Sequence, residues 1–296
     1  MLLTYAALTL TVLTAQQQQT DTTITVNAGT RLELSNPGGD VIVRAWSRNA
    51  VQIKARHSAR THVQIESRGA VLSIDAEAKN GPANIVDYDI SVPAWMPLSL
   101  DGMYSDMTIE GSLADIKAET LNGTITVKGG TGTLELHSVQ GQITVEGSHG
   151  RLDLHGVSEG IKVSDAEGDV SAETISGNVV LTGIRSRDVE VGTLSGNILY
   201  DGTIQDGGRY SFVSHNGDLY LAVPEAASAT FNIATLDGEV SASFALPKVD
   251  QPSRRRKTFR LGAGSATVDI ESFNGNVSLG RPGQMSLPPG DEDDNQ

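Results

Sequence analysis

Two histidines and three carboxylates are the side chains here whose types and spacing could do chemistry. They are Glu135, His137, Asp153, His155 and Glu173. Glu135 and Asp153 lie 18 residues apart, His137 and His155 lie 18 apart, and Glu173 follows His155 by 18. Imidazole and carboxylate together suit Zn or another divalent ion, and the same groups could pass protons as general acid and base. An interval of 18 is not the tight spacing of a metal motif, however, and solvated polar side chains explain these residues without an ion. The expectation is therefore no metal and no cofactor, with these five as the candidates should a site exist. Other motifs are lacking: there is no P-loop, no G-x-S-x-G and no H-E-x-x-H. Gly129-Gly130-Thr131-Gly132 lacks the Asp of a calcium-binding nonapeptide. The absence of Cys excludes a disulfide scaffold, thiol catalysis and Cys-ligated zinc.

The interval of 18 is itself the main signal, because it recurs along the chain. A polar residue, Gly, a polar residue and then apolar–x–apolar describes Asn122-Gly123-Thr124-Ile125-Thr126-Val127, Gln140-Gly141-Gln142-Ile143-Thr144-Val145 and Ser176-Gly177-Asn178-Val179-Val180-Leu181. From Gly123 the corner glycines step by 18, 19, 17, 19, 21 and 21 residues, and Gly238 to Gly275 is 37, close to two periods. A second series, including Gly132-Thr133-Leu134-Glu135-Leu136 and Gly150-Arg151-Leu152-Asp153-Leu154, falls between the first. Each period thus holds two short strands and two turns. Alternation with period 2 buries one face of each strand and wets the other. Polar–Gly corners supply the positive φ of a tight turn; Asn122-Gly123-Thr124 matches a glycosylation acceptor but is better explained as such a corner. One unit cannot bury its apolar face alone, whereas copies stacked at about 4.8 Å can. The fold class expected is all-β: a parallel β-solenoid, or β-helix, with short strands and Gly-rich corners. An apolar residue precedes each corner, at Leu121, Val139, Val157, Ile175, Leu194, Leu236 and Phe273, and supports that choice over a sandwich.

Composition agrees. The chain has 296 residues, 32 of them Gly, with 38% hydrophobic and 4% aromatic residues and a net charge of -14. Few rings point to a slim aliphatic core, and the acidity argues against nucleic acid as a partner. Residues 2–15 are apolar and uncharged, too short to span a bilayer, and suit a secretory signal over 1–15, with no transmembrane segment. The expected organisation continues with a linker over 16–22, an irregular N-terminal β region over 23–101 that starts or caps the stack, solenoid repeats over 102–282 with a loop at 247–257, and a disordered acidic tail over 283–296. The loop carries Arg254-Arg255-Arg256-Lys257, read as a solvated basic run.

Outward positions follow from the register. One ladder reads Thr126, Thr144, Lys162, Val180, Leu199, Tyr220, Ser241, and its apolar run Val180, Leu199 and Tyr220 is the candidate interaction stripe. Glu135, Asp153, Ser171 and Glu190 form the ladder of the other face, with His137, His155 and Glu173 beside it.

Three features together carry a resemblance: Gly39-Asp40-Val41-Ile42-Val43-Arg44-Ala45-Trp46, Tyr88-Asp89-Ile90-Ser91-Val92-Pro93, and the recurring Thr/Ser–apolar–Ser/Asn–Gly–Asn/Asp corners. On these the chain resembles, over about residues 24–280, a bacterial envelope family of β-strand-repeat proteins labelled as adhesins, a domain of unknown function. Ser105-Asp106 departs from the Gly corner. The resemblance implies an exported β-solenoid and brings no catalytic residues. The expected role is a non-enzymatic adhesin-like or scaffold surface, in the periplasm, at the cell surface or secreted, which binds an envelope protein or a surface glycan or self-associates. The alternatives are a polysaccharide-active β-helix enzyme using Glu135, Asp153 and Glu173, and an accessory protein of an envelope-stress regulator.

Overall fold

In each repeat the strands run only as far as the alternation does. Ile125–Lys128 buries Ile125 and Val127 and turns Thr126 and Lys128 outward; Leu134–Gln140 buries Leu134, Leu136 and Ser138. The computed structural model describes residues 17–78, 81, 85–247 and 256–288. Each central coil gives one strand to each of two 13-stranded sheets, and the central strands pair in parallel and in register, Ile125 with Ile143 and Ile143 with Ile161. The protein is the all-β parallel solenoid that the repeat predicts. Among the described residues no helix is long and apolar enough to cross a membrane.

The core is four columns of inward side chains. One runs Leu100, Ala118, Leu136, Leu154, Ala172, Val191, Phe212; across from it the first sheet stacks Ile109, Val127, Val145, Val163, Leu181, Tyr200. The columns are aliphatic through the middle of the stack, but toward the C-terminal end Tyr200, Tyr210, Phe212 and Phe231 are among the largest fully buried side chains. Tyr88 is fully buried at the other end, so the few rings lie toward the ends of the stack, and its middle is aliphatic. Tyr200 meets Phe212 at 5.1 Å and Tyr210 at 6.1 Å between ring centroids.

Two further columns fasten coil to coil. Just before each corner an inward hydroxyl donates to the corner carbonyl of the preceding coil: Ser138 Oγ to Gly123 O (3.0 Å), Thr174 Oγ1 to Glu159 O (3.0 Å), Thr193 Oγ1 to Gly177 O (3.3 Å) and Ser214 Oγ to Gly196 O (3.1 Å). Beyond the corner a side-chain carbonyl accepts from the next coil's backbone, as Asn178 Oδ1 does from Asn197 N (2.8 Å) and Asn197 Oδ1 from Asp218 N (2.7 Å). These bonds satisfy polar groups that tight turns would otherwise leave buried and unpaired. They explain why Ser or Thr sits two residues before the polar residue of most corners.

Both ends depart from chain order. Val41–Trp46 stacks directly on Met107–Glu110, so Gly39-Asp40-Val41 is a true first rung, and the strands Ala50–Ser58, Thr61–Arg68, Val71–Ala78 and Asp87–Pro93 are added outside it. At the far end Ala266–Asn274 inserts between Arg209–Asn216 and Ala229–Asp237. Ser278 therefore stands between Tyr220 and Ser241 in the outward ladder, which the sequence order had joined directly. Antiparallel strands close the ends: Gln17–Thr25 on Ala50–Ser58, Thr61–Arg68 on Val71–Ala78, and Arg256–Leu261 on Ala229–Asp237. Their polar and charged residues blunt edges that would otherwise recruit further strands.

Three expected segments change accordingly. Residues 17–22, expected as linker, are the first six residues of an edge strand, because nine consecutive residues find register with Ala50–Ser58. Arg256 and Lys257, expected in a loop, begin the closing strand Arg256–Leu261. The start of the expected tail is folded: Gly283 N donates to Asp201 Oδ2 at 3.0 Å and Leu287 is buried. The expected signal over 1–15, Arg254 and Arg255, and residues 289–296 lie outside the described residues.

The buried phenols set an alkaline limit. Desolvation, with the Asp75 charge adding to it at Tyr88 and the neighbouring Tyr210 and Asp201 at Tyr200, pushes both groups well above the ordinary phenol value. Burial also raises Tyr210, although the Gln205 backbone N–H and the Arg187 charge oppose it. Above about pH 10 the unfolded chain loses phenol protons that the folded chain keeps. Stability is therefore full below that pH and falls as pH rises beyond it. Thermal melting between pH 8 and pH 11.5 should show a level midpoint that drops above about pH 10; a midpoint unchanged to pH 11 would contradict this account.

Candidate functional site

The outer face of the second sheet carries three outward columns. The column farthest from the corner places Lys117, Glu135, Asp153, Ser171, Glu190 and Ser211 on successive rungs. The next holds Glu119, His137, His155, Glu173, Gly192 and Val213. The third, at the corner, is apolar.

The five residues singled out by type do come together, on three adjacent rungs. His137 and His155 stack with ring centroids 4.7 Å apart. His155 Nε2 lies 2.7 Å from Asp153 Oδ1, and its Nδ1 lies 3.8 Å from Glu173 Oε2. His137 Nε2 lies 3.7 Å from Glu135 Oε1. Glu119, not singled out from sequence, joins them: Glu119, Glu135 and His137 each offer a ligand atom, all within 4.8 Å of one another. Yet Lys117 already puts a cation there, with Nζ 2.8 Å from Glu119 Oε1 and 3.6 Å from Glu135 Oε1. Its hydrogen bond to Glu119 and the charges of both carboxylates hold the ammonium above its usual pKa. Partial burial and the Glu119 charge raise Asp101 on the preceding rung. The cluster is a ladder of carboxylates held by the Lys117 ammonium and flanked by two stacked imidazoles.

Val180, Leu199 and Tyr220 also stack in register, on the outer face of the first sheet. They do not form an open stripe. Leu199 is only 6% exposed, and Val180 and Tyr220 are half-buried. The chain beyond Gly280 turns back over this end of the sheet. Arg281 Nη1 donates to Val223 O at 3.1 Å, its guanidinium lies 4.1 Å from the Phe244 ring centroid, and Gly283 is bonded to Asp201 beside Leu199. The acidic composition of residues 283–296 gave no hint that their first part folds onto the sheet.

The open apolar surface lies instead at the corner of the second sheet. Met103, Leu121, Val139, Val157, Ile175, Leu194, His215, Phe273 and Leu236 follow one another rung by rung, as the pairing of their neighbours requires. All but His215 are large hydrophobic residues left between 36% and 53% exposed. Sequence reading had found most of these positions as corner residues but could not tell that they point outward. Before most of them a buried Ser or Thr (Thr120, Ser138, Thr174, Thr193, Ser214, Ser272) takes the inward place, so the next side chain is turned out.

At the C-terminal end this ladder becomes the rim of a groove of about 700 Å³. Gly192 contributes no side chain between Glu173 and Val213, and the outer surface sinks there. Leu194, His215, Phe273 and Leu236 line one side and Glu190 and Ser211 the other, with Val213, Ala234 and Glu271 along the floor. His215 stacks on Phe273 at 4.7 Å with an interplanar angle of 16°. Arg256 Nη2 binds Glu271 Oε1 at 2.5 Å. Sequence order hid this groove, since Glu271 reaches Val213 only through the inserted rung. The one signal was Phe212-Val213, two apolar residues in succession that break the alternation.

A model of the Toastrack DUF4097 family matches residues 29–280. Among solved structures, the chain is similar to a candidate adhesin from Parabacteroides distasonis, at 12% identity over 90% of this chain and 98% of that one, with a TM-score of 0.50. It is also similar to a candidate adhesin from Bacteroides fragilis, at 11% identity over 90% and 98%, with a TM-score of 0.47. At these identities the likeness concerns fold alone. No curated protein matches the chain.

Proposed function

The chain belongs to the Toastrack DUF4097 family, and from that premise we propose that it is an exported, non-enzymatic, adhesin-like protein that captures a partner protein in the groove of its second sheet. The groove is the observation that carries this reading: an apolar floor and rim at Val213, Leu194, Phe273 and Leu236, edged by the carboxylates of Glu173 and Glu190. Such a lining suits an extended segment that presents apolar and cationic side chains. A protein segment is favoured over a sugar, because Phe273 is the only phenyl, phenol or indole ring lining the groove and His215 already covers one of its faces. Export rests on the apolar stretch of residues 2–15, and the adhesin label of the P. distasonis neighbour agrees with it.

The test is retention of envelope-extract proteins on the immobilised full-length chain, set against Val213→Glu and Glu190→Lys variants and a polysaccharide panel. The expected result is a discrete protein bound by wild type and retained about 10-fold less by both variants, with unchanged melting. Retention of a polysaccharide in place of protein, or its turnover, would overturn the proposal.

A further inference from the structure

The groove is the C-terminal part of a longer surface. Met103, Leu121, Val139, Val157 and Ile175 carry the exposed apolar line beyond the groove toward the N-terminal end. The column on one flank of that line holds Asp101 and Glu119 before it reaches Glu173 and Glu271 in the groove. Single exposed hydrophobic residues are ordinary on a protein surface, whereas a contiguous line of them marks an interface. We propose that this strip is the seat of a basic amphipathic peptide segment, which lays its apolar side chains along the ladder and turns its Lys and Arg toward the acidic column. The proposal rests on the capture reading above and names the chemistry and the length of what is captured.

Three observations select this occupant. The first is the one-sided charge. Behind the acidic column the next one adds Glu135, Asp153 and Glu190. On the other flank of the ladder Asn122, Gln140, Ser176, Ser195 and Asn216 are exposed and neutral. In a chain of net charge -14 the acidic flank repels a second copy and any anionic surface, and it attracts cations. The second is how the column answers a cation. Lys117 Nζ lies 2.8 Å from Glu119 Oε1 and 3.6 Å from Glu135 Oε1, so one ammonium is shared between adjacent rungs. Asp101 and Glu190 make no hydrogen bond or salt bridge among the described residues. Partial burial and the Glu119 charge raise the Asp101 carboxyl, the mark of negative charge left without enough cation beside it. The third is the ladder itself. A small polycation would leave the apolar line in water, and burying that line takes an occupant with an apolar face of its own. The ladder is about 38 Å long at about 4.8 Å per rung, the span of about 11 residues of extended chain. It stands two residues from the acidic column on each strand, about 6.8 Å, a gap that a Lys or Arg side chain crosses.

Fluorescence anisotropy with the full-length chain tests this, using labelled synthetic peptides of alternating Leu and Lys, about 6 and about 12 residues long, and alternating Leu/Glu peptides of the same lengths. The longer Leu/Lys peptide should bind with a dissociation constant on the order of 10 µM, at least about 10-fold more tightly than the shorter one, and it should weaken about 10-fold between about 50 and about 500 mM salt. The pair Leu121→Gln/Ile175→Gln, on the ladder outside the groove, and the pair Asp101→Asn/Glu119→Gln should each weaken it about 10-fold with melting unchanged. The pair Asp21→Asn/Glu146→Gln removes the same charge from the first sheet and should leave binding unchanged, as should Leu113→Gln, an exposed hydrophobic position off the ladder. No binding of the longer Leu/Lys peptide at about 100 µM chain, equal binding of the Leu/Glu peptide, or indifference to the ladder pair or to the acidic pair would overturn the proposal. An envelope protein retained by wild type and lost in Val213→Glu, with no peptide bound, sinks this proposal and leaves the capture reading standing. Peptide bound along the strip with no envelope protein retained does the reverse.

Discussion

Replacing Gly141 by Ala should cost about 3–5 kcal/mol of stability and lower the melting midpoint by on the order of 10 °C. Two causes add. At φ +143° an L side chain is strained, and a Cβ built there would stand against the carbonyl oxygen of Gly123, far inside the 3.0 Å that real Cβ atoms keep. That carbonyl cannot retreat, because it accepts the Ser138 hydroxyl at 3.0 Å and belongs to a corner stacked one coil away. The control is Gly147, also a turn glycine at φ +66°, with nothing within 4 Å of its added Cβ. Gly147→Ala carries backbone strain only, about 1–2 kcal/mol. Chemical denaturation of the two variants checks this. Equal losses would mean that strain alone governs the corners and that the close stacking of coils does not matter. Stability in a solenoid is a sum of coil and interface contributions, so Gly141→Ala should also broaden the transition as the halves on either side uncouple.

Phe212→Ala should be nearly as costly, about 3–5 kcal/mol. Phe212 is fully buried, stands between Val191 and Ile270 in its column, and faces Tyr200 across the core at 5.1 Å. Neighbouring coils are pinned by backbone ladders above and below, so they cannot collapse into the space left. The same residue supports the groove floor, since Ser211 and Val213 flank it on the outer face. Denaturant unfolding should show the stability loss, and partner retention should fall even at temperatures where the variant stays folded. A Phe212→Leu variant keeps most of the volume and should recover most of both. If Phe212→Ala lost stability but kept full retention, the groove would not depend on this part of the core.

The sequence spoke clearly wherever one coil repeats the next. Glu135 and Asp153, His137 and His155, and Val180, Leu199 and Tyr220 all fell on the predicted rungs, because a constant coil length forces equivalent residues into register. Corner glycines were equally plain. Exposure was not. Leu199 and Leu194 look alike in sequence, each an apolar residue next to a corner motif. One is 6% exposed, with the returning C-terminal segment bonded to Asp201 two residues on, and the other is 51% exposed; such differences come from outside the repeat. Likewise, Lys117 neutralises the carboxylates near His137 from one coil away, an association that spacing permits but does not announce.

By itself, then, the sequence determined the repeat, the two-sheet solenoid, the inward columns and the register of the central coils. These depend on local alternation and constant coil length, which are properties of the chain read in order. Only the tertiary structure decided the order of rungs at the two ends, the burial of Leu199, the outward turn of the corner ladder and the groove beside Gly192. Each depends on segments far apart in sequence: Ala266–Asn274 inserting ahead of Ala229–Asp237, and Gly283 reaching back to Asp201. The local pattern of an inserted rung is the same wherever it inserts, so its place is chosen by which exposed edge and which apolar face remain to be covered when it folds.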